Sequence, residues 1–252
     1  MLDIKNLRYE IDGWEILRDI NITLPDEGMT ALIGPNGAGK STLLSLVTRI
    51  EPMSGGEVTV DGRALHDIPP PEMAKKVAIL TQHQDIQTRL TVRDLLSFGR
   101  YPYHQGRPKA EDDAVIDEML DRMDLRKLAD RYLSTLSGGQ RQRALIAMTL
   151  CQSTKYIFLD EPLNNLDMYY ARELMRTLDV YAREKHCSIL MVIHDINMSA
   201  AWADRLIAIK GGRVVREGTP NEVVTVENMQ TIFDMDVEVL THKGKPLVVN
   251  CL

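Results

Sequence analysis

The sequence predicts an α/β fold in which helices cover a parallel sheet and a helical subdomain interrupts the core. The chain has 252 residues, of which 44% are hydrophobic and 26% are charged, a balance typical of a folded globular protein with a sizeable core. Short apolar segments alternate with amphipathic ones, which is the pattern of strands and their covering helices. Between residues 91 and 152 this β pattern gives way to helical spacing, so we place the inserted subdomain there.

The predicted strands of the parallel sheet are short and almost entirely apolar. They cover residues 29–33, 77–80, 156–159 and 188–193, and such runs are typical of strands buried on both faces. Residues 2–23 instead alternate in polarity around Asp12-Gly13, which predicts an antiparallel hairpin. Elsewhere we predict helices at 43–50, 110–123 and 141–150, a loop at 102–108, and a turn at 243–246 between two short strands.

Composition and charge exclude several functional classes. The 30 Lys and Arg residues against 36 Asp and Glu give a net charge of −6, which argues against a nucleic-acid partner. No segment approaches the ~18 consecutive apolar residues of a membrane-spanning helix, and no apolar stretch follows a basic start as in a secretory signal. Cys151, Cys187 and Cys251 lie far apart and form no metal-ligand or disulfide pattern. We therefore expect a cytoplasmic protein with reduced thiols.

A glycine-rich segment directly follows the strand predicted at 29–33. It fits the pattern G-x-x-x-x-G-K-[ST] and leads into a helix, the context that a phosphate-binding loop requires. Its backbone N–H groups and the start of the helix favour phosphate oxygens. We expect Lys40 to reach the β- and γ-phosphates, Ser41 to hold Mg²⁺ and Thr42 to bond a nearer phosphate. The predicted ATP-binding residues of this loop are Gly34, Pro35, Asn36, Gly37, Ala38, Gly39, Lys40, Ser41 and Thr42.

Two adjacent carboxylates end the strand predicted at 156–159. Asp160 is expected to hold Mg²⁺ through a bound water, as in P-loop NTPases generally. Glu161 would accept a proton from the attacking water or orient it. Adjacent acidic residues are common on protein surfaces, and the phosphate loop in the same chain is what favours a catalytic interpretation.

A third motif reads Leu-Ser-Gly-Gly-Gln at residues 136–140 and precedes the helix predicted at 141–150. Ser137 suits the N-cap of that helix. The open N–H groups at a helix start also make an anion site. The serine and glycines of this motif thus predict a second anion site at the start of the helix.

These three motifs, in this order and over essentially the whole chain, resemble those of ATP-binding-cassette (ABC) ATPases. The resemblance implies a P-loop NTPase core with an N-terminal antiparallel β subdomain and an inserted helical signature subdomain. It implies ATP and Mg²⁺ as cofactors, and an ATP-dependent head-to-tail homodimer. In such a dimer Ser137, Gly139 and Gln140 of one subunit close on the γ-phosphate held by the other. We expect a single ABC domain over 1–252, with the core at 1–85 and 153–218, the helical subdomain at 86–152 and a tail at 219–252.

The resemblance also assigns roles to isolated residues. Tyr9 matches the aromatic residue that stacks on adenine, and Trp14 is the alternative candidate for this role. Gln82 matches the glutamine that senses Mg²⁺ and the attacking water, and His194 matches the switch histidine that contacts the γ-phosphate. The predicted catalytic set is therefore Glu161, His194, Gln82 and Lys40, and the predicted Mg²⁺ set is Ser41, Gln82 and Asp160.

The loop after the acidic strand departs from the family pattern. Asp167 matches the family's dimer-contacting D-loop aspartate, whereas Asn164-Asn165 replaces the more usual Ser-Ala. The sequence alone offers no consequence for this pair.

Similarities that are less specific than the nucleotide motifs indicate a class of ABC protein. Residues 90–103 resemble the corresponding segment of iron-chelate, haem and vitamin B12 importers, and residues 160–167 resemble Gram-positive ferric siderophore ATPases. An importer of this kind implies separate polytopic permease subunits, an extracytoplasmic substrate-binding protein, and a peripheral position on the cytoplasmic face of a bacterial membrane. The alternatives are a soluble ABC ATPase of iron–sulfur cluster assembly and the ATPase of a two-component exporter. The candidate permease-docking surface is the region 82–103, with an apolar and aromatic set flanked by arginines: Arg89, Leu90, Val92, Arg93, Tyr101 and Tyr103.

Overall fold

The computed structural model describes residues 1–82 and 89–249. Its strands are β1 (Leu2–Ile11), β2 (Trp14–Leu24), β3 (Gly28–Ile33), β4 (Gly55–Val60), β5 (Arg63–Ala64), β6 (Val77–Leu80), β7 (Tyr156–Asp160), β8 (Ser188–Val192), β9 (Arg205–Lys210), β10 (Arg213–Gly218), β11 (Glu238–His242) and β12 (Lys245–Val249). Its helices are α1 (Lys40–Val47), α2 (Pro70–Met73), α3 (Val92–Gly99), α4 (Tyr101–His104), α5 (Ala110–Arg122), α6 (Gly138–Cys151), α7 (Met168–Lys185), α8 (Ile196–Trp202), α9 (Pro220–Val223) and α10 (Val226–Phe233).

A six-stranded sheet in the order β10-β9-β3-β8-β7-β6 forms the centre of the fold. Its strands pair in parallel except for β10, which runs antiparallel to β9. The four predicted parallel strands are confirmed to within a residue at each end. Because β3, β6, β7 and β8 are parallel, their carboxyl ends lie along one edge of the sheet. The phosphate loop, Gln82, the Asp160-Glu161 pair and His194 all follow at that edge, where ligands of open α/β sheets bind.

An antiparallel sheet in the order β2-β1-β4-β5 packs as a separate subdomain. The predicted hairpin is confirmed: β1 and β2 turn at Asp12-Gly13, both with positive φ (51° and 80°). Strands β4 and β5 were not predicted, since Gly55-Gly56 and the two-residue length of β5 give weak β signals. A buried cluster joins this sheet to α1 and to one side of the central sheet.

The helical subdomain is built on α3, α5 and α6, whose apolar faces meet in one core. Helix α5 confirms the helix predicted at 110–123. The loop predicted at 102–108 is wrong in part, because α4 occupies its first residues. Pro102 lies in the first helical turn, where a missing N–H costs no intrahelical bond. Helix α6 begins before the predicted 141 because Ser137 and Gln140 form a capping box.

The tail contributes α9, α10 and the β11–β12 hairpin, which confirms the turn predicted at 243–246. Asn197 in α8 holds this hairpin: its Oδ1 accepts from Val248 N at 2.8 Å and its Nδ2 donates to Val248 O at 3.0 Å. Cys151 and Cys187 are free and buried, and Cys251 lies outside the described residues. Among the described helices, none combines the length and the apolar run that crossing a bilayer would need.

Candidate functional site

A cavity of about 630 Å³ opens at the carboxyl edge of the central sheet. It brings together most of the phosphate loop, Glu161 of the acidic pair and His194, which lie far apart in the sequence. Its lining residues are Ile16, Asn36, Gly37, Ala38, Gly39, Lys40, Ser41, Thr42, Gln82, Glu161 and His194. The size and the mixed lining suit a nucleotide whose phosphates lie on the loop.

The phosphate loop is held in shape by close backbone contacts. Gly34 has φ 141°, and a Cβ there would lie 2.0 Å from Ile209 O, so no larger residue fits without displacing β9. Lys40 Nζ donates to Gly34 O at 2.8 Å and to Pro35 O at 2.9 Å, which places its ammonium inside the curve of the loop. Gly34 and Pro35 thus act through Lys40, whereas the rest of the loop lines the cavity.

Lys40 carries a positive charge in a largely buried position. Lys40 is 6% exposed, and this burial lowers the pKa of its ammonium group. The nearby carboxylates of Glu161 and Asp160 act in the opposite direction and raise that pKa. The loop therefore presents one fixed cation to anions entering the cavity. A phosphate would gain a charge-assisted hydrogen bond there in a site that excludes much of the solvent.

The predicted metal ligands Ser41 and Asp160 lie side by side. Ser41 Oγ donates to Asp160 Oδ1 at 3.1 Å. Burial raises the pKa of Asp160, and the Ser41 hydrogen bond partly offsets that rise. A hydroxyl and a carboxylate are the hard oxygen donors that Mg²⁺ prefers. Within the described residues no group of three or more His, Cys, Asp and Glu gathers as a metal centre, so phosphates and water would supply the remaining ligands.

Glu161 is the centre of the polar network in the cavity. His194 Nε2 lies 2.7 Å from Glu161 Oε1, and Asn164 Nδ2 donates to Glu161 Oε2 at 2.5 Å. Gln82 adds a side-chain hydrogen bond. Burial raises the pKa of Glu161, but these hydrogen bonds outweigh it and hold the pKa below its usual value. The carboxylate is thus ionised and oriented, as a base that accepts a proton from water must be.

The signature residues lie in a different cavity of the same chain. Ser137, Gly139 and Gln140 line a space of about 460 Å³ together with Asp167. Among the described residues, none lines both this space and the phosphate-loop cavity. Asp167 Oδ1 accepts from Tyr170 N at 2.9 Å and so caps α7. One chain alone therefore does not bring the signature to its own phosphate loop.

The two candidate adenine-stacking residues have opposite environments. Tyr9 is 8% exposed and packs in the core of the antiparallel sheet, away from the cavity lining. Trp14 is 77% exposed and lies two residues before Ile16, which lines the cavity. Residues two apart on a strand share a face, so Trp14 extends the face of β2 that borders the cavity.

Sequence reasoning missed two contacts of this site. Ile16 is an ordinary apolar strand residue, and no signal in the sequence marks it as facing a ligand. The hydrogen bond from Asn164 to Glu161 was also not predicted. The departure of Asn164 from the family pattern could have drawn attention to this position.

Comparisons with known proteins agree with this geometry. The sequence model of the ABC transporter family matches residues 17–164. The petrobactin import ATP-binding protein YclP of Bacillus subtilis is 44% identical, over 96% of this chain and 96% of its own. The iron(3+)-hydroxamate import ATP-binding protein FhuC of the same species is 41% identical over 92% and 88%. The ferric enterobactin transport ATP-binding protein FepC of Escherichia coli is 36% identical over 94% and 89%.

Solved structures extend the likeness to the whole fold. An inward-facing metal-chelate type ABC transporter matches with a TM-score of 0.84 and 25% identity, over 100% of this chain and 97% of the other. The cassette MJ0796, in a dimeric state bound to ADP and Pi, matches with a TM-score of 0.77 and 26% identity, over 87% and 98%.

Proposed function

The chain belongs to the ABC transporter family, and from that premise we propose that it is the ATP-hydrolysing subunit of a bacterial importer for an iron chelate, in particular a ferric siderophore. The observation that carries this proposal is the full-length similarity, at 36–44% identity, to import ATP-binding proteins named for petrobactin, iron(3+)-hydroxamate and enterobactin. The proposal is supported by the nucleotide motifs in this chain and by the cavity that residues 36–42, Gln82, Glu161 and His194 line together.

The residues around the cavity can each be given a role in ATP hydrolysis. Lys40 would bind the β- and γ-phosphates, and Glu161 would take a proton from the attacking water or orient it. His194, 2.7 Å from Glu161, would hold that carboxylate and contact the γ-phosphate. Ser41 and Asp160 would hold Mg²⁺, whose charge neutralises phosphate oxygens. Gln82, at the cavity wall, would respond to the metal and the water.

The separation of the signature from the phosphate loop supports a dimer with two composite sites. Ser137, Gly139 and Gln140 lie at the start of α6 and line their own cavity. The N–H groups of Ser137 and Gln140 are bonded within the capping box, so the Ser137 hydroxyl and the Gly139 N–H are the donors proposed to face a phosphate. In a head-to-tail homodimer each signature would close on ATP held by the other subunit, with Asp167 near the contact. The dimeric state of the MJ0796 cassette supports this arrangement. Closure and reopening would then be what acts on the membrane subunits.

A polytopic permease is the proposed partner, which would keep the chain on the cytoplasmic face of the membrane, with a substrate-binding protein acting outside. The docking surface needs one correction: Val92 is 0% exposed and belongs to the core of the helical subdomain. Tyr101 is exposed as expected, and Phe98 is exposed beside it. An interface centred on aromatic residues with arginines at its rim is typical of protein partners. Residues 83–88 of the candidate surface lie outside the described residues.

We predict that Trp14, not Tyr9, stacks on the adenine. Replacing Trp14 with alanine is expected to weaken ATP binding by about five- to a hundredfold, because base–aromatic stacking contributes ~1–3 kcal/mol. Tyr9→Phe, which keeps the buried ring, is the matched control and should bind ATP as the wild type does. Titration with a fluorescent ATP analogue measures both; an unchanged dissociation constant for Trp14→Ala would contradict the assignment.

The proposed function is tested by identifying the partners of the closed state. Tagged Glu161→Gln protein, loaded with Mg-ATP, is recovered from detergent-solubilised native membranes and its companions are identified by mass spectrometry. A polytopic permease encoded with an extracytoplasmic binding protein is the expected result, and chelate uptake should fail when this chain is deleted. Recovery of soluble iron–sulfur assembly proteins without a permease would overturn the importer assignment while leaving the ATPase chemistry in place.

A further inference from the structure

Both oxygens of the Glu161 carboxylate are held by neighbouring side chains. His194, which follows β8, has its Nε2 atom 2.7 Å from Oε1. Asn164 Nδ2 donates to Oε2 at 2.5 Å, from the loop that follows β7. The amide nitrogen of asparagine is a donor only. Asn164 can therefore fix the direction of one oxygen without competing for the proton that the other would accept.

The position of Asn164 is set by a tight turn and by packing of the next residues. Asn164 N donates to Glu161 O at 3.2 Å, which closes a turn between the two residues. Glu161 itself has a left-handed backbone, with φ 52°. Further along the loop, Asn165 O packs on Gly139, where an added Cβ would lie 3.1 Å away. Asn164 and Asn165 are exposed, so what holds the Asn164 amide against the carboxylate is this turn, together with the contact of the next residue's backbone with Gly139.

We propose that Asn164 is a positioning residue for hydrolysis, whose amide fixes the orientation of the Glu161 carboxylate. The inference rests on the proposed role of Glu161 as the residue that activates water. A serine hydroxyl at position 164 would be shorter than the asparagine side chain and would reach the same oxygen less well. Losing the amide is expected to slow the chemical step, because a misplacement of a catalytic group by about 1 Å can lower the rate as much as a hundredfold.

The test is a graded series at position 164, measured on the full-length protein by steady-state ATPase kinetics. Asn164→Ala removes the donor and is expected to lower kcat about tenfold, the change that ~1.4 kcal/mol of lost transition-state stabilisation produces. Asn164→Ser should retain part of the rate. Asn164→Asp is nearly the same size but sets a carboxylate against Glu161, so it should be the slowest. The KM for ATP and the ATP dissociation constant, measured independently by calorimetry, should stay within about twofold of wild type.

Two controls separate positioning from a general structural effect. Asn221 is an exposed asparagine whose amide donates to Gly244 O at 3.2 Å, far from the site along the chain, so Asn221→Ala should leave kcat unchanged. Adding Asn164→Ala to Glu161→Gln should not slow the residual single-turnover rate further, because the group that Asn164 orients is already lost.

The outcomes distinguish this inference from the proposed function. If Glu161→Gln abolishes turnover but Asn164→Ala and Asn164→Asp keep the wild-type kcat, Asn164 has no positioning role. A rise in KM with unchanged kcat, or a fall in melting temperature that parallels the loss of rate, would equally overturn it. If Glu161→Gln itself hydrolyses ATP rapidly, the role of Glu161 fails first, whatever the series at 164 shows.

Discussion

Replacing Glu161 with glutamine is expected to lower ATP turnover by about a hundredfold or more while leaving ATP binding intact. General-base catalysis contributes about 10²–10⁴-fold to such reactions, and an amide cannot accept the proton of the attacking water. Glutamine has the shape of glutamate, so its side-chain oxygen can still receive the contact from Asn164, and the phosphate loop is untouched. With binding retained and hydrolysis stopped, the protein should accumulate as a closed dimer around two ATP molecules.

The measurements are the ATPase rate, the ATP dissociation constant, and the molar mass by light scattering. The molar mass is compared with and without Mg-ATP. Wild-type protein should shift to a dimer only transiently, whereas the variant should remain dimeric for as long as ATP is present. Glu227→Gln is the matched control, because Glu227 is an exposed glutamate in the first turn of α10 and should leave all three measurements unchanged. Rapid hydrolysis by Glu161→Gln would show that another group activates the water.

The parts of the site that follow strands directly could be predicted from the sequence. The phosphate loop follows β3, the acidic pair ends β7 and His194 follows β8, so the parallel pairing alone brings them to one edge. Their apolar strands carry a strong signal because both faces are buried. The geometry of Lys40 inside the loop also follows from the motif, since the glycines curl the backbone around whatever cation the motif supplies.

The parts that depend on packing between distant segments could not be predicted. Ile16 lines the cavity, and Trp14 shares its strand face, only because the antiparallel sheet packs beside the phosphate loop. The bond from Arg18 N to Gly212 O is one of those that hold this arrangement. A search by sequence position favoured Tyr9, whose alternate-residue face points instead into the core. The contact between Asn164 and Glu161 depends on a backbone with positive φ at Glu161, which no propensity of glutamate predicts.

Because the two cavities are separate in one chain, we expect a complete site only in the proposed dimer. The residues proposed to bind phosphate and activate water lie together in one chain, whereas the signature lies in a cavity of its own. We therefore expect the monomer to bind a nucleotide and the proposed dimer to supply the remaining donors. Binding and hydrolysis should accordingly respond differently to substitutions, with signature variants affecting closure and phosphate-loop variants affecting binding itself.

Lys40→Met is expected to weaken ATP binding by about a hundredfold or more without unfolding the protein. A hydrogen bond to a charged partner contributes about 1.5–3 kcal/mol, and Lys40 is placed to make such bonds to two phosphates, which together correspond to about two powers of ten in affinity or more. Methionine fills a similar volume without a charge, so the variant removes a buried cation and leaves packing largely intact. The carbonyl of Gly34 loses a buried donor and that of Pro35 a partly buried one, so we expect a modest fall in melting temperature but a folded protein.

Calorimetric titration with ATP and a thermal melt of the unliganded protein check the two halves of this expectation. Lys127→Met is the control, because Lys127 is an exposed lysine of the helical subdomain and should bind ATP with wild-type affinity. Glu161→Gln and Lys40→Met then separate the two functions of one cavity: the first should bind without turning over, and the second should fail to bind at micromolar ATP. A Lys40→Met protein that binds ATP normally would mean that the backbone N–H groups of the loop suffice for the phosphates, and that the buried ammonium serves only to hold the loop in shape.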